Sequence, residues 1–252
     1  MDQFGVRLPM GPPKNKMKFP NFKYEQEKYL SDYKFVAGCD EVGIGPLAGP
    51  VVAATVILDP RSIGNKRSKS KWWYRVRDSK TTNEDEREEL VLFIQDHCID
   101  FAVGVVSHET IDEINIFQAA LLAMEKSVSG LKKNPDFIFL DGIHKLPKVP
   151  IAQQPIIDGD VKLLSISAAS IVAKVTRDKI LKDLHQKFPQ YGFDKHKGYG
   201  TKFHREALLR FGITPVHRKT FGFVAECLKR LQSMRHFKQL VTIPDLIRNP
   251  VQ

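Results

Sequence analysis

Residues 35–58, FVAGCDEVGIGPLAGPVVAATVIL, decide the architecture. Two apolar runs, Phe35–Asp40 and Pro50–Leu58, have the composition of buried strands. They are joined by GIGPLAG, whose glycines permit backbone angles and close approaches that other residues forbid. Gly43, Gly45 and Gly49 are therefore expected to form a tight, exposed turn. The first strand ends in two adjacent carboxylates, Asp40 and Glu41.

Working outward, Ile99–Val106 reads as a third strand, Phe137–Asp141 as a short strand buried on both faces, and Ile151–Ile157 as a further one. Asn83 followed by Glu86 resembles a capping box, and Leu90, Phe93 and Ile94 recur at helical spacing through His97. Ile111, Ile114, Phe117, Leu121, Met124 and Val128 predict one amphipathic helix ending at Gly130. Ser165–His185 lacks Pro and Gly and predicts a long helix; helical patterns resume at Thr201–Phe211 and Phe223–Phe237. Three strands followed by helices alternating with strands make an α/β chain with a mixed central sheet flanked by helices. The expected organisation is a loosely ordered extension over 1–33 with a short helix at Tyr24–Tyr29, a core over 34–186, a helical C-terminal region over 187–240 and a tail over 241–252. A basic insertion covers about 61–77, with Trp72 and Trp73 as its aromatic anchor.

The chain has 252 residues, 42% hydrophobic and 27% charged, enough to bury a core, which excludes disorder of the whole. Its net charge of +10 is unevenly spread. Arg61–Lys80 holds eight basic residues against one acid, and Lys179–Lys238 fourteen against four, so the remainder is net negative. An acidic body with two basic stretches suits a polyanionic partner, although two solvated faces without a ligand are the alternative. Cys39, Cys98 and Cys227 stand far apart, which suggests neither a disulfide framework nor a cysteine zinc site and fits a reducing cytoplasm. No leader or membrane span is expected, and a monomer is the default.

Asp40 and Glu41, Asp141 and Asp160 each sit at or beside a strand end. In sheets flanked by helices, such ends bring distant segments together. Converging carboxylates repel unless cations neutralise them, and hard oxygen donors select Mg²⁺ or Mn²⁺. The alternative is ordinary surface acids that cap turns. Successive strand residues point to opposite faces, so Asp40 and Glu41 serve one site only if the strand breaks between them and the glycines.

At this point the sequence resembles the bacterial type 2 ribonuclease H enzymes, the ribonuclease HII family, over roughly residues 35–224. The resemblance is carried by AGCDEVGIGPLAGPVVAATVIL from Ala37, RDSK from Arg77, FLDG from Phe139, GDVKLLSISAASIVAKVTRD from Gly159, YGFDKHKGYGTKFH from Tyr191 and TPVHRKTF from Thr214. It implies a ribonuclease H-like fold with a helical C-terminal extension, and an endonuclease cutting the RNA strand of RNA/DNA hybrids or a ribonucleotide embedded in duplex DNA. It also implies Asp40, Glu41, Asp141 and Asp160 as ligands of two Mg²⁺ or Mn²⁺ ions, and products with 5′-phosphate and 3′-hydroxyl ends. The Gly43-Ile44-Gly45 turn becomes the sensor of the 2′-hydroxyl, Tyr199 packs against the junction sugar, and Ser79 and Lys80 hold phosphate. Lys174, Arg177, Lys195, His196 and Lys197 join the substrate-binding set, although Lys174 and Arg177 equally suit pairing with neighbouring acids.

Two positions depart from the family pattern: Ile44 stands where Arg is usual, and Asp158 where Lys is usual. Both remove positive charge near the expected scissile phosphate. A hybrid-binding protein with weakened catalysis is therefore the alternative, and a phosphatase of small substrates a more distant one.

Overall fold

The computed structural model describes residues 19–63, 72–76 and 82–241. Its sheet has the order β3-β2-β1-β4-β5, with β1 Val36–Val42, β2 Val51–Leu58, β3 Cys98–Val106, β4 Phe137–Asp141 and β5 Ala152–Ile156. β1 pairs antiparallel with β2 and β2 with β3, whereas β4 lies parallel to both β1 and β5, so the sheet is mixed. Every residue of β2 is buried, the mark of a strand covered on both faces. β5 contains Pro155, tolerated because this strand is an edge and its proline need not donate to the ladder.

The helices in chain order are α1 Lys23–Leu30, α2 Trp72–Arg75, α3 Glu84–His97, α4 His108–Ile114, α5 Ile116–Ser129, α6 Leu164–Lys187, α7 Phe193–His196, α8 Lys202–Phe211 and α9 Gly222–Val241. On one face, Ala37, Cys39, Ala53 and Ile57 pack with Ala119, Ala123 and Met124 of α5. On the other, Val52, Ala54 and Val56 meet Leu90 and Ile94 of α3 and Ala168 and Ile171 of α6; Trp72 and Trp73 are buried here too. Burying such aliphatic side chains contributes about 1.5–3 kcal/mol each for the larger ones. A Cβ at Gly38 would overlap the backbone of Ser165 and Ile166, so this glycine lets α6 seat directly on β1.

The single helix predicted from 111 to 128 is two. Asn115 adopts a left-handed φ of 66°, and its Oδ1 accepts from the amides of Phe117 and Gln118, capping α5. The apolar spacing runs across the break, so periodicity alone concealed it.

The expected loose extension is also different from residue 19 onward. α1 docks on the body: the buried Glu25 accepts from both the amide (2.8 Å) and the hydroxyl (2.7 Å) of Ser165. α6 has no side-chain cap of its own, and Glu25 supplies one from 140 residues away.

The C-terminal region closes a third cluster, in which Leu181, Tyr191, Phe193, Leu208 and Val224 surround Leu47 and Ala48 of the glycine-rich connection. No helix of the described residues is long and apolar enough to cross a membrane.

Candidate active site

The parallel register of β1 and β4 pairs Cys39 with Leu140, so Asp40 and Asp141 come next, side by side on adjacent strands. Gly159 donates its amide to Asp141 at 2.7 Å, which draws the segment before α6, with Asp160, to the same strand end. Asp40 is 5% exposed and lies under α6, where Ser170 hydrogen-bonds it. Burial pushes the Asp40 carboxyl well above its usual range, and repulsion from Glu41, Asp141 and Asp160 adds to this. Glu41, Asp141 and Asp160 are thus each within electrostatic reach of Asp40.

The strand break expected as the condition for a shared site of Asp40 and Glu41 does not occur, and that condition is too strict: Glu41 still repels Asp40 electrostatically and lines one cavity with Asp141. β1 continues through Val42, which pairs with Val52, because the ladder to β2 is unbroken across Asp40 and Glu41. Glu41 consequently looks to the α5 side. There it lines a cavity of about 310 Å³ with Ile44, Phe117, Leu121, Met124 and Asp141. Among the described residues, no group of three or more His, Cys, Asp or Glu already stands in metal-holding geometry. The donor set nevertheless fits a hard divalent cation: all four groups offer carboxylate oxygens, and a cation between them relieves the repulsion that raises Asp40.

The glycine-rich turn is mostly buried, not exposed as expected. Only Ile44 and Gly45 reach solvent, because residues 46–50 are clamped between two C-terminal segments. Leu47 donates its amide to Gly198 O, Gly49 its amide to Val216 O, and Arg218 its amide to Leu47 O. Gly43 has φ +98°, and a Cβ there would strike the Arg177 guanidinium, so glycine is required both by angle and by space. A Cβ at Gly45 would lie 3.6 Å from Cε1 of Tyr199, whose ring, 46% exposed, stands beside the turn.

Several expected substrate contacts are internal. Arg177 is fully buried and donates to the carbonyls of Pro50 (3.0 Å), Lys197 (3.0 Å) and Ala48 (3.3 Å); it frames the turn and cannot meet phosphate. Lys174 pairs with Asp178 at 2.6 Å. Lys197 is buried against Asp194 O and Glu84. His196 spends both ring nitrogens, on Tyr191 O and on the amide of Gly198. Lys195 alone of the KHK triplet is exposed. Ser79 and Lys80 lie outside the described residues.

Sequence reasoning assigned no role to Arg218, Ser170 or Glu25. An arginine inside a basic stretch reads as surface charge, and nothing local marks Arg218 as buried. Asp158, at a left-handed φ of 52°, is exposed beside the site.

The family model for Ribonuclease HII matches residues 37–224. A Ribonuclease HII of Clostridioides difficile (strain 630) is 46% identical over 198 residues, covering 79% of this chain and 74% of that protein. The crystal structure of the ribonuclease H2 from Pyrococcus horikoshii OT3 superposes with a TM-score of 0.64 at 26% identity, over 79% of this chain and 99% of that one. The fold is shared also with Bst-RNase HIII, crystallised in complex with Mn²⁺, at a TM-score of 0.61 and 19% identity over 79% of this chain and 70% of that one. With sequence and topology in agreement, the chain belongs to the ribonuclease HII family.

Proposed function

We propose that this chain hydrolyses the RNA strand of RNA/DNA hybrids, and ribonucleotides embedded in duplex DNA, at the strand ends carrying Asp40, Glu41, Asp141 and Asp160. The endoribonuclease activity on hybrids follows from the family; the site residues, the ions and the embedded-ribonucleotide substrate are our reading. The observation that carries it is Asp40, a carboxylate buried at a strand end beside Asp141, pushed up by burial first and by repulsion from Glu41, Asp141 and Asp160 second, an arrangement that favours cation binding. Those four residues would hold Mg²⁺ or Mn²⁺. When bound, such ions supply an activated water and neutralise charge on the phosphate and the leaving 3′ oxygen, giving 5′-phosphate and 3′-hydroxyl ends.

The remaining work belongs to the chain. The 43–45 turn offers backbone amides to the ribose, and the 2′-hydroxyl is the group that separates RNA from DNA there. Tyr199 packs against the junction sugar, and Lys195 with the basic stretches meets phosphate. The protein acts as a monomer in this reading. A hybrid-binding protein with weakened catalysis is not favoured, since Ile44 leaves the turn's amides in place.

The test is cleavage of a labelled duplex carrying one ribonucleotide, and of a long hybrid, with Mg²⁺ or Mn²⁺. Both should be cut, and Asp40→Asn should lower the rate by about 10²-fold or more, the scale of an electrostatic group lost at a reacting centre. Tight binding without cutting of either substrate would overturn the reading.

A further inference from the structure

Arg218 is fully buried, yet none of its side-chain hydrogen bonds goes to a carboxylate. Its guanidinium is spent on backbone carbonyls of the glycine-rich connection. Nη2 donates to Gly43 O at 2.6 Å and to Pro50 O at 3.2 Å, Nη1 to Ile44 O at 2.9 Å, and Nε to Gly49 O at 3.0 Å. Burying a cation is costly, and four oriented carbonyl dipoles offset that cost only in this arrangement.

The consequence for the turn follows from peptide geometry. Every peptide bond of the described chain is trans, so each carbonyl points opposite to the amide N–H of the residue after it. Holding Gly43 O toward Arg218 turns the N–H of Ile44 away from Arg218, and holding Ile44 O does the same for Gly45. Ile44 and Gly45 are also the two exposed residues of the turn, and neither amide donates to any group among the described residues. Tyr199 stands beside them.

We propose that Arg218 is the positioning residue of the sensor turn: it fixes the Ile44 and Gly45 amides outward as a paired donor for the ribose 2′-oxygen of the substrate. The proposal rests on the reading of the 43–45 turn as the ribose sensor and adds what aims it. It accounts for Ile44 in place of Arg, because the groups presented are amides, and the Ile44 side chain does not alter them. It also explains why an arginine is needed: a lysine is a point charge and cannot reach several carbonyls in one plane.

The experiment measures affinity for a DNA duplex containing one ribonucleotide and for the same all-deoxy duplex, in EDTA so that nothing is cut. The readout is the ratio of the two affinities. Replacing the Ile44 or Gly45 amide by a backbone ester deletes one N–H each and should lower the ratio about five- to tenfold. Arg218→Lys should lower it at least as far, with all-deoxy affinity changed less than twofold. If the esters lower the ratio and Arg218→Lys does not, Arg218 does not aim the turn, while the sensor reading stands. If the esters leave the ratio unchanged, the sensor reading itself fails. Should Arg218→Lys not fold, amide hydrogen exchange of the unaltered protein decides. The Ile44 and Gly45 amides should exchange freely in the free chain and slow only with the ribonucleotide-containing duplex; protection already in the free chain overturns the proposal.

Discussion

Glu25 shows how one residue sets a pH dependence. Its Oε1 caps α6 while Oε2 is buried without a hydrogen-bond partner, and burial pushes its pKa up to about 7. With a folded pKa above the unfolded 4.5, its contribution is fully present below pH 4.5 and lost as pH rises through 7. Glu25→Gln keeps the acceptor for Ser165 and never ionises. Urea unfolding should find this variant more stable than the parent at pH 8, by on the order of 2–3 kcal/mol, and the gain should shrink toward pH 5. A difference that does not change with pH would show that Glu25 is not carrying the proton. Nothing in the sequence flagged this residue, because an acid in a short polar helix reads as solvated.

At the scale of elements, the joint between α4 and α5 depends on Asn115, which combines a left-handed backbone with a two-amide cap. Asn115→Ala loses both and should destabilise the chain by about 1–2 kcal/mol; Asn115→Gly keeps the angle and should cost less, as denaturant midpoints will report. The C-terminal region is held by a directional hydrogen-bond chain. The Thr214 amide donates to His217 Nδ1, His217 Nε2 and His204 Nε2 lie 3.0 Å apart, and His204 Nδ1 donates to Tyr199 O. This order needs both rings neutral. Burial lowers His204 to about 4 and His217 to about 3, the nearness of His204 adding to the latter. Since the unfolded imidazoles titrate near 6.5, the stability from this pair is present above that pH and lost as pH falls toward 4 and below. The opposing contributions of Glu25 and Asp40 overlap this window, so the measurement belongs in the Glu25→Gln, Asp40→Asn background. There, unfolding free energy should fall between pH 6.5 and 4, and a flat profile would contradict a neutral pair.

Across the whole molecule, the basic excess divides into cations that are spent and cations that are free to act. Lys174, Lys182, Lys197, Arg177 and Arg218 are engaged by acids or carbonyls. In the basic stretch from Arg61 to Lys80, Arg61 pairs with Asp59 and Arg75 with Glu89, and the other six basic residues lie outside the described residues. If this stretch touches nucleic-acid backbone, neutralising Lys66, Arg67, Lys69 and Lys71 should flatten the dependence of hybrid affinity on salt, by about 0.9 in slope for each phosphate that these cations had neutralised. An unchanged slope would remove that stretch from the interface.

The sequence by itself determined the strands, the long helices and the carboxylates at the strand ends, because alternating and helical hydrophobic patterns are local and a strand-end acid is recognisable where it stands. Residues 35–58 and 137–141 carried most of that reading. Only the tertiary structure decided which polar groups are spent inside the protein. Arg177 and Lys195 look alike in sequence, yet one is sealed against three carbonyls and the other is exposed. Glu25 and Ser165, like Arg218 and Gly43, are more than a hundred residues apart, and they meet only when α1 and the C-terminal region close over the sheet. Burial and hydrogen-bond satisfaction are properties of the packed chain, and no local pattern encodes them.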